Sequence, residues 1–167
     1  MVKLLMLDLA TGVISTIDSS EVAGKPSFIV LAFGVITDSS QGANVTIFYG
    51  LTGSTQYNGI EDNVICGCPL KGKVKKISVF IRFNSINGDT VFTFRKNHKD
   101  TELAVTFLQG EDYYQGGGTP SLEKGLKSSE VEGIEVDVTD LIDVKCVTGG
   151  DSGLIFAHRG FIVIEVE

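Results

Sequence analysis

Tryptophan is missing from this chain, and proline (3), cysteine (3), histidine (2) and methionine (2) are scarce. So few histidines and cysteines leave little material for metal centres or nucleophile–base pairs. Cys66, Cys68 and Cys146 form an odd set; an apolar-rich chain folds without staples, so reduced thiols are expected rather than a disulfide framework. Positive charge is short as well. Fourteen Lys and Arg against 21 Asp and Glu leave a net charge of -7, which repels phosphate backbones and anionic head groups. Neither nucleic acid nor a membrane is an expected partner. The longest strongly apolar run, Phe28 to Ile36, falls far short of the roughly 20 residues of a bilayer-spanning helix. Asp8 interrupts Leu4-Leu5-Met6-Leu7, and no small-residue cleavage site follows, so the N-terminus reads as mature sequence.

A sustained helical period is also lacking, and alternation with period two takes its place. The chain of 167 residues, 43% hydrophobic, has the size of one domain with a short arm and the composition of a folded one. Ile77, Val79, Ile81 and Phe83 share one face of a strand against Lys76, Ser78 and Arg82, with Phe80 the exception. Leu103, Val105 and Phe107 alternate with Glu102, Ala104 and Thr106, as Ile134, Val136 and Val138 do with Glu135, Asp137 and Thr139. Asn87-Gly88-Asp89, Asn97-His98-Lys99-Asp100 and Gly149 to Gly153 supply turn residues that tolerate positive φ. About ten to twelve short strands without helical crossovers predict an all-β, antiparallel β-sandwich of jelly-roll type.

Residues 1–24 read as a separate N-terminal arm: Leu5, Leu7 and Leu9, the turn Ala10-Thr11-Gly12, then Val13 to Ile17 form a β-hairpin, and Gly24-Lys25-Pro26 closes it off from a domain over 25–167. A lone hairpin is marginally stable in water, so the arm needs a surface to lie on. Phe28 to Phe33 is apolar on both faces, which predicts a central strand covered on its outer side by an oligomer interface. Phe28, Val30 and Phe33 are therefore assembly candidates. From Gln109 to Glu130 no period is clear; this long segment carries Tyr113, Tyr114 and Gly116-Gly117-Gly118, and is expected to be functional or mobile.

Catalytic signals are thin. Gly150-Asp151-Ser152-Gly153 matches the nucleophile signature of chymotrypsin-like proteases, but His98 is too near in sequence for that fold, and a glycine-rich turn is the better reading. Cys66-Gly67-Cys68 spaces its thiols more tightly than structural zinc sites do, so buried cysteines acting as small apolar residues are expected. Asp137, Asp140 and Asp143 lack the frame of a calcium loop and read as a solvated strand face. His158-Arg159 reads as a polar turn before the last strand. No cofactor, no metal and no enzymatic activity are expected.

From Tyr49 onward the order of elements resembles a β-sandwich module of virion proteins of tailed bacteriophages, found on head decorations and fibres. The matching stretches are Tyr49-Gly50-Leu51, Pro69 with Lys71-Gly72-Lys73-Val74, and Asp89 to Asn97 with its "RKN" turn, returning at Asp100-Thr101 to Thr106. Val138 to Lys145, the turn Gly149 to Gly153 and the closing Val163 to Glu167 continue the likeness. Cys66-Gly67-Cys68 and the long 109–130 segment depart from it. The resemblance implies a homo-oligomer, commonly a trimer, on the outside of a particle assembled in a host cytoplasm. It implies a major capsid protein or other virion protein as partner, or, for a fibre head, a host surface glycan met by Tyr113 and Tyr114.

Overall fold

The computed structural model describes residues 3–7, 14–18, 26–34, 40–51, 57–114 and 120–166, with the backbone alone at 3–7, 14–18 and 157. With strands numbered in chain order, β1 (Lys3–Leu7) and β2 (Ile14–Asp18) form an antiparallel hairpin, a two-stranded sheet of its own. One large sheet has the order β11 (Leu126–Val136), β8 (Gly72–Asn84), β13 (Leu154–Val166), β3 (Ser27–Gly34), with β4 (Ser40–Gly42) also on β13. The other runs β10 (Lys99–Phe107), β9 (Thr90–Lys96), β12 (Leu141–Thr148), β5 (Val45–Tyr49), β6 (Tyr57–Asn58), with β7 (Cys66–Gly67) also on β12. The long strands nest: β3 pairs with β13, β5 with β12, β8 with β11 and β9 with β10, all antiparallel. Outermost with outermost and innermost with innermost is the wrapping of a jelly roll.

The period-two pattern fills the space between the sheets. Ile77, Val79 and Ile81 of β8, Leu103, Val105 and Phe107 of β10, and Ile142, Val144 and Cys146 of β12 are all buried. Each such side chain contributes roughly 1.5–3 kcal/mol by leaving water. Phe92 lies at the middle, its ring 6.3 Å from Tyr49, 6.3 Å from Phe107, 6.4 Å from Phe33 and 5.7 Å from His158. Asn97 and His98 take positive φ, 50° and 64°, between the paired Lys96 and Lys99, the left-handed two-residue hairpin that matches strand twist. Gly160 lies opposite Phe33 in register, and a Cβ there would overlap the Phe33 ring and the Ser78 carbonyl.

Several expectations are corrected. Phe28 to Phe33 is not a central strand: among the described residues β3 is paired with β13 alone, so it lies at the sheet edge. Two apolar faces meant burial on one side and exposure on the other. Within the 109–130 segment, a short helix α1 (Leu122–Gly125) leads straight into β11, and Leu126 to Glu130 pair with β8. Val138 does not share the inner face of Val136; β11 ends at Val136, and Val138 is exposed in the turn beyond. His158 and Arg159 are interior to β13 rather than in a turn, since β13 begins at Leu154. Asp143 is wholly buried, not solvated. Leu9, the turn Ala10-Thr11-Gly12, the boundary Gly24-Lys25 and Gly116-Gly117-Gly118 lie outside the described residues.

Candidate functional site

With Ile77, Val79 and Ile81 turned inward, Ser78, Phe80 and Arg82 point away from the core, and strand register assembles an outer face around them. Leu126, Phe80 and Arg159 stand side by side across β11, β8 and β13. Ser128, Ser78, Phe161 and Ala32 form the next row, and Glu130, Lys76, Val163 and Val30 the one beyond. Phe28 follows, beside Glu165. Phe28 and Val30 are 53% and 54% exposed, Leu126 40% and Phe161 36%. Lys76 pairs with Glu130 at 2.7 Å and Lys75 with Glu165 at 3.0 Å; such exposed pairs add at most about 1 kcal/mol each, so they edge the apolar patch without covering it. Beside it, an apolar cleft lined by Val30, Leu31, Ala32, Leu51, Cys66 and Pro69 opens along β3.

Tyr113 and Tyr114 extend this face. Asp112 accepts the N–H of Asn84 at 2.9 Å. The N–H groups of Tyr113 and Tyr114 donate to the carbonyls of Ile81 and Arg82 at 3.0 and 3.3 Å, continuing alongside β8 past the point where β11 starts. The Tyr113 ring sits 5.5 Å from Phe80, and the Arg82 guanidinium lies 5.1 Å from the Tyr114 ring. Both tyrosines are half-buried. Of the assembly candidates, Phe28 and Val30 thus share one face with Tyr113 and Tyr114, whereas Phe33 points into the core at 4% exposure. Leu5 and Leu7 lie on β1. Leu126, Phe80 and Phe161 were missed by sequence reasoning. The signal was there in Phe80, the apolar residue that broke the alternation of its strand.

Groups with chemical potential are committed elsewhere. Burial raises the thiols of Cys66 and Cys68, and that of Cys146 further still, which suppresses the thiolate needed for attack or metal ligation. Cys66 and Cys68 donate to the carbonyls of Ile142 and Leu70. His158 hydrogen-bonds the Tyr49 hydroxyl through Nε2, and burial pushes its pKa down to about 4. The N–H groups of Asp151 and Ser152 both donate to Asn87 Oδ1, at 2.9 and 3.0 Å, so the Gly-Asp-Ser-Gly match is a turn pinned by Asn87. Among the described residues no group of three His, Cys, Asp or Glu is placed to hold a metal ion.

A charged cluster lies on the outer side of the second sheet. Asp143 and Arg95 are cross-strand partners on β12 and β9, and with Ile142, Val144 and Phe94 buried inward their side chains point outward. Arg95 donates to both carboxylate oxygens of Glu61, at 3.1 and 3.2 Å, and to Asp100 Oδ1 at 2.6 Å. Asp100 also pairs with Lys145. Neither oxygen of Asp143 accepts a hydrogen bond from the described residues, and Arg95 Nε is 3.9 Å from Oδ1. Burial, then the adjoining Glu61 carboxylate, push the Asp143 pKa up to about 8. Burial works against the charge on Glu61 too, yet the Asp143 carboxyl and Arg95 hold it below the ordinary carboxylate range. No spacing in the sequence announces this cluster, because Glu61 reaches it from a separate single turn of 3-10 helix (Glu61–Asn63).

No family model and no curated protein matches the chain. Among solved structures, the tumour necrosis factor (TNF) Eiger from S. frugiperda aligns over 86% of this chain and 94% of its own, with 13% identity and a TM-score of 0.40. No helix among the described residues is long and apolar enough to cross a membrane.

Proposed function

We propose that the chain is a non-enzymatic virion structural protein, a homotrimeric decoration or cement protein on a capsid surface. The observation that supports this reading most is the outer face of β11, β8, β13 and β3, with Phe28, Val30, Phe161 and Leu126 in contact with solvent. Four strands at about 4.8 Å spacing and roughly 35 Å of paired length give a face on the order of 700 Å². That is close to the roughly 800 Å² each partner contributes to an ordinary specific interface. Closed symmetry would let copies cover that face for one another. The copy number and the capsid as partner come from the resemblance to phage modules. The hairpin of β1 and β2, a sheet apart from the sandwich, fits an arm that grips a neighbouring virion protein. A glycan-binding fibre head is the weaker reading, because the Tyr113 and Tyr114 rings are partly taken up by Phe80 and Arg82.

Analytical ultracentrifugation at micromolar concentration tests the assembly. A trimer is expected, and a monodisperse monomer overturns it. Electron microscopy of the particle places the chain on the shell or on a fibre. Particles that keep their stability when residues 1–20 are deleted would count against the gripping arm.

A further inference from the structure

The segment between β6 and β7 leaves the sheet at Tyr57–Asn58, paired to β5, and returns at Cys66–Gly67, paired to β12. In between, its 3-10 turn lies over the outer face of the sheet. The Arg95 side chain crosses from β9 toward β5, its guanidinium 5.4 Å from the Phe48 ring, and grips Glu61 on the way. Asp143 is thereby roofed over to zero exposure. The charged and titratable groups facing it can be counted by element. Glu61 and the exposed Asp62 come from the turn, and Arg95 from β9. His98 comes from the hairpin tip, its Nδ1 3.4 Å from Glu61, and Asp100 from β10. Lys145 is on β12, bound to Asp100, and the Cys66 thiol is on β7. Under the roof the carboxyls of Glu61 and Asp143 share one fixed cation among the described residues, Arg95, whereas the exposed Asp100 at its edge is matched by Lys145. One negative charge is left unmatched unless a carboxyl holds a proton. Asp143, fully buried, set against the Glu61 carboxylate and accepting no hydrogen bond from the described residues, is where an uncompensated charge costs most.

We propose that Asp143 is a proton-operated latch: the 57–68 strap lies closed on the sheet with a proton held on Asp143, and opening releases that proton to water. The direction follows from linkage. The closed state binds one more proton than the open state wherever Asp143 is protonated under the roof and ionised in solvent, so rising pH favours opening. Between the ordinary carboxylate range and pH about 8, the open population grows about tenfold per pH unit and levels off above. At any fixed pH in that window the strap is a gate whose opening exposes Phe48 and frees Cys66, which lines the cleft beside β3. This inference concerns the second sheet and stands apart from the assembly proposed for the first.

Hydrogen exchange of the full chain between pH 5 and pH 8, corrected for the intrinsic rate, tests it. Useful probes are the amides of Val64 and Ile65, which donate to the Glu61 carbonyl, and of Cys68, which donates to Asp140. Their protection factors should fall about tenfold per pH unit, while core amides of β9 hold theirs; in Asp143→Asn all should stay level. Flat protection in the unmodified chain, an equal fall in Asp143→Asn, or core amides falling in parallel would overturn the latch. If Asp143→Asn does not fold, carboxyl carbon NMR of the unmodified protein decides: a midpoint for Asp143 above pH 6 supports the latch, and one in the ordinary carboxylate range refutes it.

Discussion

The Tyr49 hydroxyl of one sheet and His158 Nε2 of the other share a hydrogen bond in the middle of the sandwich, their rings 5.4 Å apart and edge to face. Both residues are completely buried, and His158 Nδ1 has no hydrogen-bond partner among the described residues. The pair is a polar tie between the two layers, set beside the Phe92 ring in the core. It forces the imidazole to be neutral, because no counter-charge accompanies it.

That neutrality sets an acid-side cost. A histidine with a folded pKa of about 4 contributes its full share of stability above the unfolded value near 6.5, and the share is lost as pH falls toward 4. Asp143 has the opposite sign, since its raised pKa stabilises the fold below the unfolded value of 3.8 and ceases to do so as pH climbs toward about 8. From pH 4 to 6.5 the two slopes oppose each other at about 1.4 kcal/mol per pH unit each. Urea unfolding should therefore show stability nearly level from pH 4.5 to 6.5 and falling from 6.5 to 8. In Asp143→Asn the curve should instead rise from 4.5 to 6.5 and then level off. An Asp143→Asn curve parallel to that of the unmodified protein would refute the assignment.

Tyr49→Phe removes the partner of His158 and leaves a buried ring nitrogen unpaired, which costs about 1–3 kcal/mol. Equilibrium denaturation should register the loss in midpoint with an unchanged slope.

Gly160→Val places a branched side chain where the Phe33 ring and the Ser78 carbonyl already sit. Overpacking of this kind costs roughly 1–3 kcal/mol. Adding Phe33→Leu to the same chain should recover part of the loss, a non-additivity that a double-mutant cycle measures.

Phe161→Asp puts a charge in the centre of the exposed face of the first sheet, beside Ser78 and Ala32. Because Phe161 points outward, the monomer fold should survive with unchanged circular dichroism. Sedimentation of the proposed trimer should shift to monomer, and an oligomer unaltered by the substitution would move the interface elsewhere.

What was legible in the residues alone is what alternation encodes. Ile77, Val79 and Ile81 against Ser78 and Arg82 define an inside and an outside for β8 whatever lies next to it, and Asn97-His98 define the hairpin between β9 and β10. Enough such strands with turns between them lead to a β-sandwich, because apolar faces of period two can be buried only against another sheet. Tertiary structure decided everything that depends on a neighbour distant in the chain. Phe28 to Phe33 reads the same at a sheet edge as at its centre; only its place in the sheet, paired among the described residues with β13 alone, exposes Phe28 and Val30. Asp143 reads as an outward, solvated position, and so it would be had Glu61, more than eighty residues earlier, not been laid across it. Burial is a property of what covers a residue, and the covering segment is chosen by long-range packing that no local pattern records.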